Sequence, residues 1–141
     1  MPSTVTIHLT GAVPSKKNSK QMVCRGRRPI LLPYPTYTRW QKQVGEVFSP
    51  YAQWGRGVQE PLFIAISLFD KKNKDGTLPR RVFDLTNKAE SILDTLVDYS
   101  VIRDDNYTVV NKVLLEFGGY RPEQGAVITI TPTSALPLKM V

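Results

Sequence analysis

Carboxylate side chains crowd into one short central segment of the chain. Between residues 84 and 105 the sequence carries six of them and only two cations, Lys88 and Arg103; the acids are Asp84, Glu90, Asp94, Asp98, Asp104 and Asp105. Clustered carboxylates are the ligands that Mg²⁺ prefers, and a metal held in this way can activate water for attack on a phosphodiester. The segment therefore predicts metal-assisted phosphodiester hydrolysis, with a solvated acidic helix as the alternative interpretation.

The rest of the chain is strongly basic, with a formal net charge of +7 over 141 residues. No acidic residue precedes Glu46, whereas eight cations do: Lys16, Lys17, Lys20, Arg25, Arg27, Arg28, Arg39 and Lys42. A second basic cluster lies just ahead of the acidic segment and comprises Lys71, Lys72, Lys74, Arg80 and Arg81. This separation of charge favours a polyanionic partner, nucleic acid above all, over basic loops that merely face solvent.

Hydrophobic periodicity indicates which elements position these residues. Alternation or continuous apolar runs predict strands, and apolar residues at helical spacing predict two helices. The strands fall at 4–10, 21–25, 29–32, 62–69, 109–117 and 126–131, and the helices at 36–48 and 85–98. Glycines predict a loop at Gly55 and Gly57 and a break at Gly118-Gly119. We predict an α/β fold of the α+β-like kind. A single domain over residues 1–131 has a mixed or antiparallel sheet packed by two helices, and residues 132–141 form a loose tail.

The acidic segment would start at a helix cap and end in the turn after the helix. Asp84 suits the N-cap position, and this cap is the alternative to a role as a metal ligand. Asp104 and Asp105 follow the helix, which is about 20 Å long at 1.5 Å per residue. The chain must therefore fold back across the helix before Asp105 can approach Asp84. For Asp105 the alternative is an ordinary turn residue, and for Asp94 and Glu90 it is a structural or solvated helix residue.

The spacing of this segment resembles that of the RusA-type Holliday junction resolvases of bacteria and their phages. Their pattern is Asp-x-Asp-Asn, a Lys three residues past the Asn, an Asp-x-Leu one turn later, and an Asp-Asp about twenty residues after the first Asp. Here Asp84, Asn87, Asp94, Leu96 and the pair Asp104-Asp105 fall on that pattern. The loop 14–19 (PSKKNS), with Lys16, Lys17 and Asn18, is similar to the loop that follows the first strand in that family.

The resemblance implies a homodimeric Mg²⁺-dependent endodeoxyribonuclease, with Mn²⁺ as a substitute, that resolves four-way DNA junctions by paired symmetric nicks. Asp84 and Asp105 would hold the metal, and Asp104 and Glu90 would complete the catalytic set. Thr86, Asn87, Lys88 and Asp94 would support them, and DNA would lie on Lys16, Lys17, Asn18, Lys20, Arg25, Arg27, Arg28, Arg80 and Arg81. The chain departs from the pattern at three places. Thr86 replaces the second Asp, Glu90 replaces the Lys, and Val82-Phe83 replace the arginines directly before the first Asp, with Arg80-Arg81 slightly earlier. Thr86 and Glu90 motivate one alternative, a non-catalytic module that binds branched DNA and has a degenerate metal site. A nuclease for other branched DNA is a further alternative.

Other features exclude several classes of protein. Cys24 is the only cysteine, so neither an intrachain disulfide nor a four-cysteine zinc site can form. No apolar stretch reaches 18 residues, so we expect no membrane span. The first residues have no basic start followed by an apolar run, so we expect no secretory signal. These features favour the reducing cytoplasm, and the resemblance implies that of a bacterial or phage-infected cell.

Overall fold

The computed structural model describes residues 3–15, 20–33 and 35–136. Its centre is a four-stranded sheet in the order β1-β6-β4-β5. The strands are β1 (Val5–Thr10), β4 (Leu62–Asp70), β5 (Val110–Tyr120) and β6 (Gly125–Pro132). β4 and β5 run parallel, whereas β6 is antiparallel to both β1 and β4. The remaining strands, β2 (Lys20–Arg25) and β3 (Arg28–Pro33), form a separate hairpin.

Helices cover one face of the sheet. They are α1 (Pro35–Phe48), a short α2 (Ala52–Gly57) and α3 (Leu85–Asp98). Alternate residues of the central strands point to this face, and the fully buried side chains of Ile64, Ile66 and Ile128 pack there against Phe48 and Ile92. The predicted α/β class, with a mixed sheet packed by two main helices, is therefore confirmed.

One crossover decides where the candidate residues lie. The unit β4-α3-β5 joins two neighbouring parallel strands through a helix, so its two loops lie at opposite ends of the sheet. We call the end where β4 and β5 finish the top end and the end where they begin the bottom end. The loop 71–84 leaves β4 at the top end, and the loop 99–109 enters β5 at the bottom end.

The expectation of a loop around Gly55 and Gly57 was wrong, because α2 occupies that segment. A 3₁₀ turn at Ser49–Tyr51 leads directly into it. Gly55 is required there by packing: a Cβ on this residue would lie 2.2 Å from the carbonyl oxygen of Val101. The glycine thus lets α2 lie against the turn that follows α3.

Two further boundaries differ from the sequence prediction. β5 continues through Gly118-Gly119 to Tyr120, because a register shift against β4 absorbs the pair and Gly119 adopts a φ of 102°. The start of the tail is also bound: Ser134 donates hydrogen bonds to the Glu60 carboxylate from its backbone N–H at 2.6 Å and from Oγ at 2.9 Å. The tail residues 137–141 lie outside the described residues. In the described ranges, no helix is long and apolar enough to cross a membrane.

Candidate functional site

A groove of about 450 Å³ opens at the top end of the sheet, where α3 begins. Among the described residues its walls are Ser15, Val82, Phe83, Asp84, Asn87 and Lys88. The first turn of α3 supplies the polar side chains, because positions 84, 87 and 88 lie on one side of a helix. Three of the residues singled out from the sequence, Asp84, Asn87 and Lys88, are therefore brought together here.

Asp84 occupies the N-cap position of α3, as predicted, with an extended backbone at φ −83° and ψ 126°. Its side chain, however, makes no capping hydrogen bond to the helix backbone. The exposed carboxylate instead accepts a hydrogen bond from Asn87 Nδ2 at 3.2 Å. The cap therefore involves the backbone of Asp84 and not its carboxylate, which faces the groove. The bond from Asn87 uses only a small part of the hydrogen-bond acceptor capacity of that carboxylate.

Lys88 is held inside the groove wall. Its ammonium group donates a hydrogen bond to the carbonyl of Val13 and lies 4.7 Å from the centre of the Phe83 ring. Burial lowers the pKa of Lys88 below its usual range, and the charge of Asp70 opposes that change. Lys88 therefore ties the loop before residue 16 to α3 and brings a positive charge close to the carboxylates of the top end.

Asp70 is a polar residue that the sequence interpretation missed. It is the last residue of β4 and only 4% exposed. One of its oxygens accepts hydrogen bonds from Gln124 Nε2 and from the backbone N–H of Lys71, both at 2.7 Å. A signal was present in the sequence: an acid directly ends a strongly apolar strand, and ligand sites of α/β sheets lie at the carboxyl ends of strands.

Asp104 and Asp105 lie at the other end of the molecule, in the exposed turn between α3 and β5. Asp104 accepts hydrogen bonds from the backbone N–H of Asp105 at 2.7 Å and from Asn106 Nδ2 at 2.9 Å. The backbone bond from Asp105 is the main reason why the pKa of Asp104 lies below its usual range. Asp104 thus stabilises the turn, whereas Asp105 presents an exposed carboxylate.

The 14 residues of α3 separate Asp84 from this turn by about 21 Å. The chain does not fold back across the helix, because the crossover to β5 carries it to the bottom end. Within the described ranges, no group of three or more His, Cys, Asp or Glu residues is arranged to hold a metal ion. One chain therefore does not bring the two predicted metal ligands together.

The other candidates on α3 lie outside the groove. Thr86 and Glu90 are exposed on the helix, and Asp94 is half-buried two turns beyond Asn87. The helical rotation between positions 84 and 90 explains why Glu90 does not join Asp84.

The predicted DNA-binding residues fall into two groups. Arg80 and Arg81 are exposed in the loop that leads into Asp84, so they flank the groove at the top end. Arg27 and Arg28 are exposed where β2 turns into β3, and Lys20 and Arg25 are the end residues of β2. Lys16, Lys17 and Asn18 lie outside the described residues.

No protein-family model matches the chain, and no curated protein matches it. Among solved structures, the chain is similar to the dihydroxyacetone kinase operon co-activator Dha-DhaQ, with a TM-score of 0.48 and 8% sequence identity. The alignment covers 94% of this chain but 40% of that one, so the chain spans less than half the length of this neighbour.

Proposed function

We propose that the chain is a Mg²⁺-dependent endodeoxyribonuclease that acts on branched DNA, and on four-way junctions above all. The observation that carries the proposal is the position of Asp84. Its carboxylate is left unused by the helix cap, faces a groove and lies three positions after the exposed pair Arg80-Arg81. A cationic rim beside an available carboxylate suits a DNA backbone that must be both held and cut. The likeness of residues 84–105 to RusA-type resolvases supports the choice of substrate.

The groove offers oxygen donors of the kind that Mg²⁺ takes. This cation is usually bound by one or two carboxylates together with waters and substrate phosphates. Asp84 would supply the first carboxylate, and the side-chain oxygen of Asn87 is a neighbouring donor. When bound, the metal would lower the pKa of a coordinated water and neutralise charge on the scissile phosphate. Arg80 and Arg81 would hold the flanking phosphates through charge-assisted hydrogen bonds.

The first experiment compares cleavage of a labelled mobile four-way junction with that of a linear duplex of matched sequence, with and without Mg²⁺. We expect paired nicks near the branch point that require the metal. Asp84→Asn should lower the cleavage rate by at least about 100-fold, the upper end of what loss of a group supporting a metal costs. The exposed Glu46 on α1 provides a matched control, and Glu46→Gln should cut at the wild-type rate.

The same variant separates a role in chemistry from a role in folding. Loss of a capping side chain costs about 0.5–2 kcal/mol, whereas exposed substitutions away from such features stay within about 0.5 kcal/mol. Because Asp84 makes no side-chain capping bond, Asp84→Asn should change the free energy of unfolding by less than about 0.5 kcal/mol. Wild-type cleavage by Asp84→Asn would refute the site assignment.

A second candidate function is a non-catalytic module that recognises branched DNA. It is favoured by one observation: Thr86 and Glu90 depart from the resolvase pattern, and neither lines the groove. This candidate predicts tight junction binding that does not depend on Mg²⁺, with no cleavage in either Mg²⁺ or Mn²⁺. A third, a nuclease for forks or flaps, predicts that those substrates compete better than a four-way junction.

A further inference from the structure

A second hollow lies beside the candidate nuclease groove at the top end of the sheet. Its volume is about 240 Å³, and the residues that line it are mostly apolar and aromatic: Asp70, Val82, Phe83, Leu85, Phe117 and Tyr120. Val82 and Phe83 also line the groove of Asp84, so the two hollows share a wall. The proposed function uses the groove and leaves the second hollow, which we call the aromatic pocket, without a role.

The end of β5 brings two aromatic side chains to one side of the strand. In a regular strand, residues three positions apart point to opposite faces of the sheet. Here the register shift against β4 at Gly118-Gly119, with Gly119 at a φ of 102°, leaves the ring centres of Phe117 and Tyr120 only 5.2 Å apart. Irregularities of this kind re-aim side chains beside functional sites. Phe83 contacts Phe117 with ring centres 6.4 Å apart, so the three rings form one continuous wall.

This aromatic wall faces solvent and is not packed into the core. Phe117 is 44% exposed and Tyr120 is 39% exposed. Val82, on the neighbouring wall, is more exposed still, and together with Phe83 it stands where the resolvase pattern has arginines. An exposed cluster of large apolar side chains commonly marks a binding groove. The departure from the resolvase pattern thus creates an apolar surface directly before Asp84.

Charge and size favour a nucleobase as the occupant of the aromatic pocket. Lys72 Nζ lies 5.3 Å from the centre of the Tyr120 ring, and Arg80 and Arg81 are exposed in the loop before Val82. These cations attract a nucleic acid strand, whose bases stack on aromatic side chains. The pocket is smaller than the sites of drug-sized ligands, which measure about 300–1,000 Å³. It therefore suits one ring system rather than a larger ligand.

We propose that the aromatic pocket binds one unpaired nucleobase of branched DNA while the adjoining phosphate lies at Asp84, and that Asp70 selects a base with an exocyclic amino group. The inference rests on the proposed function, because the pocket adjoins the groove in which the phosphate would be cut. The energetic cost of extruding a base into a pocket is least where the base has already lost its pair, and a branch point can supply such bases.

Asp70 supplies the selective group. Among the described residues that line the pocket it alone is charged, and it is buried at the end of β4. Its Oδ1 accepts the hydrogen bonds from Gln124 Nε2 and from the backbone N–H of Lys71, and these two bonds leave Oδ2 as an acceptor. Adenine and cytosine carry an amino group that donates to a carboxylate, whereas thymine has a carbonyl oxygen at the corresponding position. The pocket should therefore favour an amino base over thymine.

The pocket is tested by binding, without any cleavage. The probe is a four-way junction with one unpaired nucleotide at the branch point, titrated with the wild-type chain in the absence of divalent metal. That nucleotide carries adenine, purine without the amino group, or no base. Purine should bind about 10-fold more weakly than adenine, because a hydrogen bond to a charged group is lost. The abasic junction should bind a further 5- to 150-fold more weakly, roughly the range that loss of a base–aromatic stack costs. Equal affinities for the adenine and abasic junctions would overturn the inference.

Removal of the aromatic wall tests the location. Phe117→Ala/Tyr120→Ala should bind the adenine and abasic junctions with affinities within about 2-fold of each other, because the stacking surface on β5 is gone. Tyr107→Ala is the matched control: this aromatic residue is 83% exposed in the loop at the bottom end, and its loss should leave the wild-type ratio unchanged. A double variant that still distinguishes adenine from no base as strongly as the wild type would overturn the pocket.

Asp70→Asn tests the selection of the amino group. Asparagine keeps one oxygen for Gln124 and Lys71 but presents an amide donor in place of Oδ2. The preference for adenine over purine should disappear, while the preference for purine over the abasic junction remains. Each ratio is measured within one protein, so a general loss of affinity or stability does not imitate this result. A variant that keeps the wild-type ratio of adenine to purine would overturn the role of Asp70.

Binding and cutting distinguish this inference from the proposed function. If the chain cuts junctions in Mg²⁺ but binds the adenine and abasic probes equally, the base pocket fails and the nuclease stands. If the base preference is present and no junction is cut, the nuclease fails and the pocket stands. A chain that binds no branched DNA would overturn both.

Discussion

Replacement of Gly55 by alanine tests whether α2 and the turn after α3 are packed as closely as the structure places them. A Cβ at this position would lie 2.2 Å from the carbonyl oxygen of Val101 and 2.7 Å from that of Ser100. Real Cβ atoms essentially never approach a neighbour within 3.0 Å, so the backbone must separate. That backbone has little freedom, because the N–H of Val101 bonds to the carbonyl of Leu96 at 2.9 Å.

The cost follows from this geometry. Overpacking a close contact typically costs about 1–3 kcal/mol, and a clash with constrained backbone belongs at the upper end, about 3 kcal/mol. For a chain of this size, each kcal/mol moves the melting temperature by about 3 °C, so Gly55→Ala should melt about 9 °C below the wild type. Gly57→Ala is the matched control in the same short helix. A Cβ there meets nothing within 4 Å, and alanine should gain up to about 1 kcal/mol.

Thermal and urea unfolding of the wild type and the two variants measure the difference. The midpoints should fall in the order Gly55→Ala, wild type, Gly57→Ala. The reasoning is refuted if Gly55→Ala unfolds within about 1 kcal/mol of Gly57→Ala, because a 2.2 Å approach cannot be relieved so cheaply. The result also bears on function, since the turn at Ser100 and Val101 leads directly to Asp104 and Asp105.

Three further predictions address the groove and its rim. Ser91→Ala should lower the free energy of unfolding by about 1–2 kcal/mol in urea titrations, because it leaves the Pro14 carbonyl without the 2.6 Å bond from the buried hydroxyl; no loss would contradict that bond. Arg80→Ala/Arg81→Ala should reduce the slope of log K against log salt for junction binding by about 2, and an unchanged slope would place both side chains away from phosphate. Because the pKa of Lys88 is lowered from 10.5 on folding, the unfolded state binds more protons just below pH 10.5. Wild-type stability relative to Lys88→Met should therefore rise with pH in that window, and a flat or falling difference would contradict the burial of the amine.

Most of the fold could be predicted from local patterns. The periodicity of Ala89, Ile92 and Leu96 predicts a helix over 85–98, and α3 has those bounds, since its buried face repeats at helical spacing. The apolar run from Leu62 likewise predicts β4. Predictions failed where tertiary contact overrode a local preference. Gly55 and Gly118 signal breaks in sequence, but both lie inside elements because each allows a close approach, Gly118 to the Phe69 ring.

The candidate site could be predicted only in part. Residue type and helical spacing group Asp84, Asn87 and Lys88 correctly, because these residues interact within one turn of α3. Asp70 was missed because its role depends on a tertiary contact with Gln124, which lies 54 positions away in the sequence. The relation of Asp84 to Asp105 depends on the direction of the chain after α3. The spacing of residues along the sequence does not show in which direction the chain runs after α3. The parallel pairing of β4 with β5 determines that direction.

The interval between Asp84 and Asp105 therefore needs a different interpretation from the one that a single folded-back chain suggests. In a parallel β-α-β crossover, the helix and its following turn must return the chain from the top end of the sheet to the bottom end. The 14 residues of α3 cover about 21 Å, and the regular part of β5 from Lys112 to Phe117 spans about 17 Å. The interval therefore matches the length of one crossover, and within one chain it does not carry Asp105 back to Asp84.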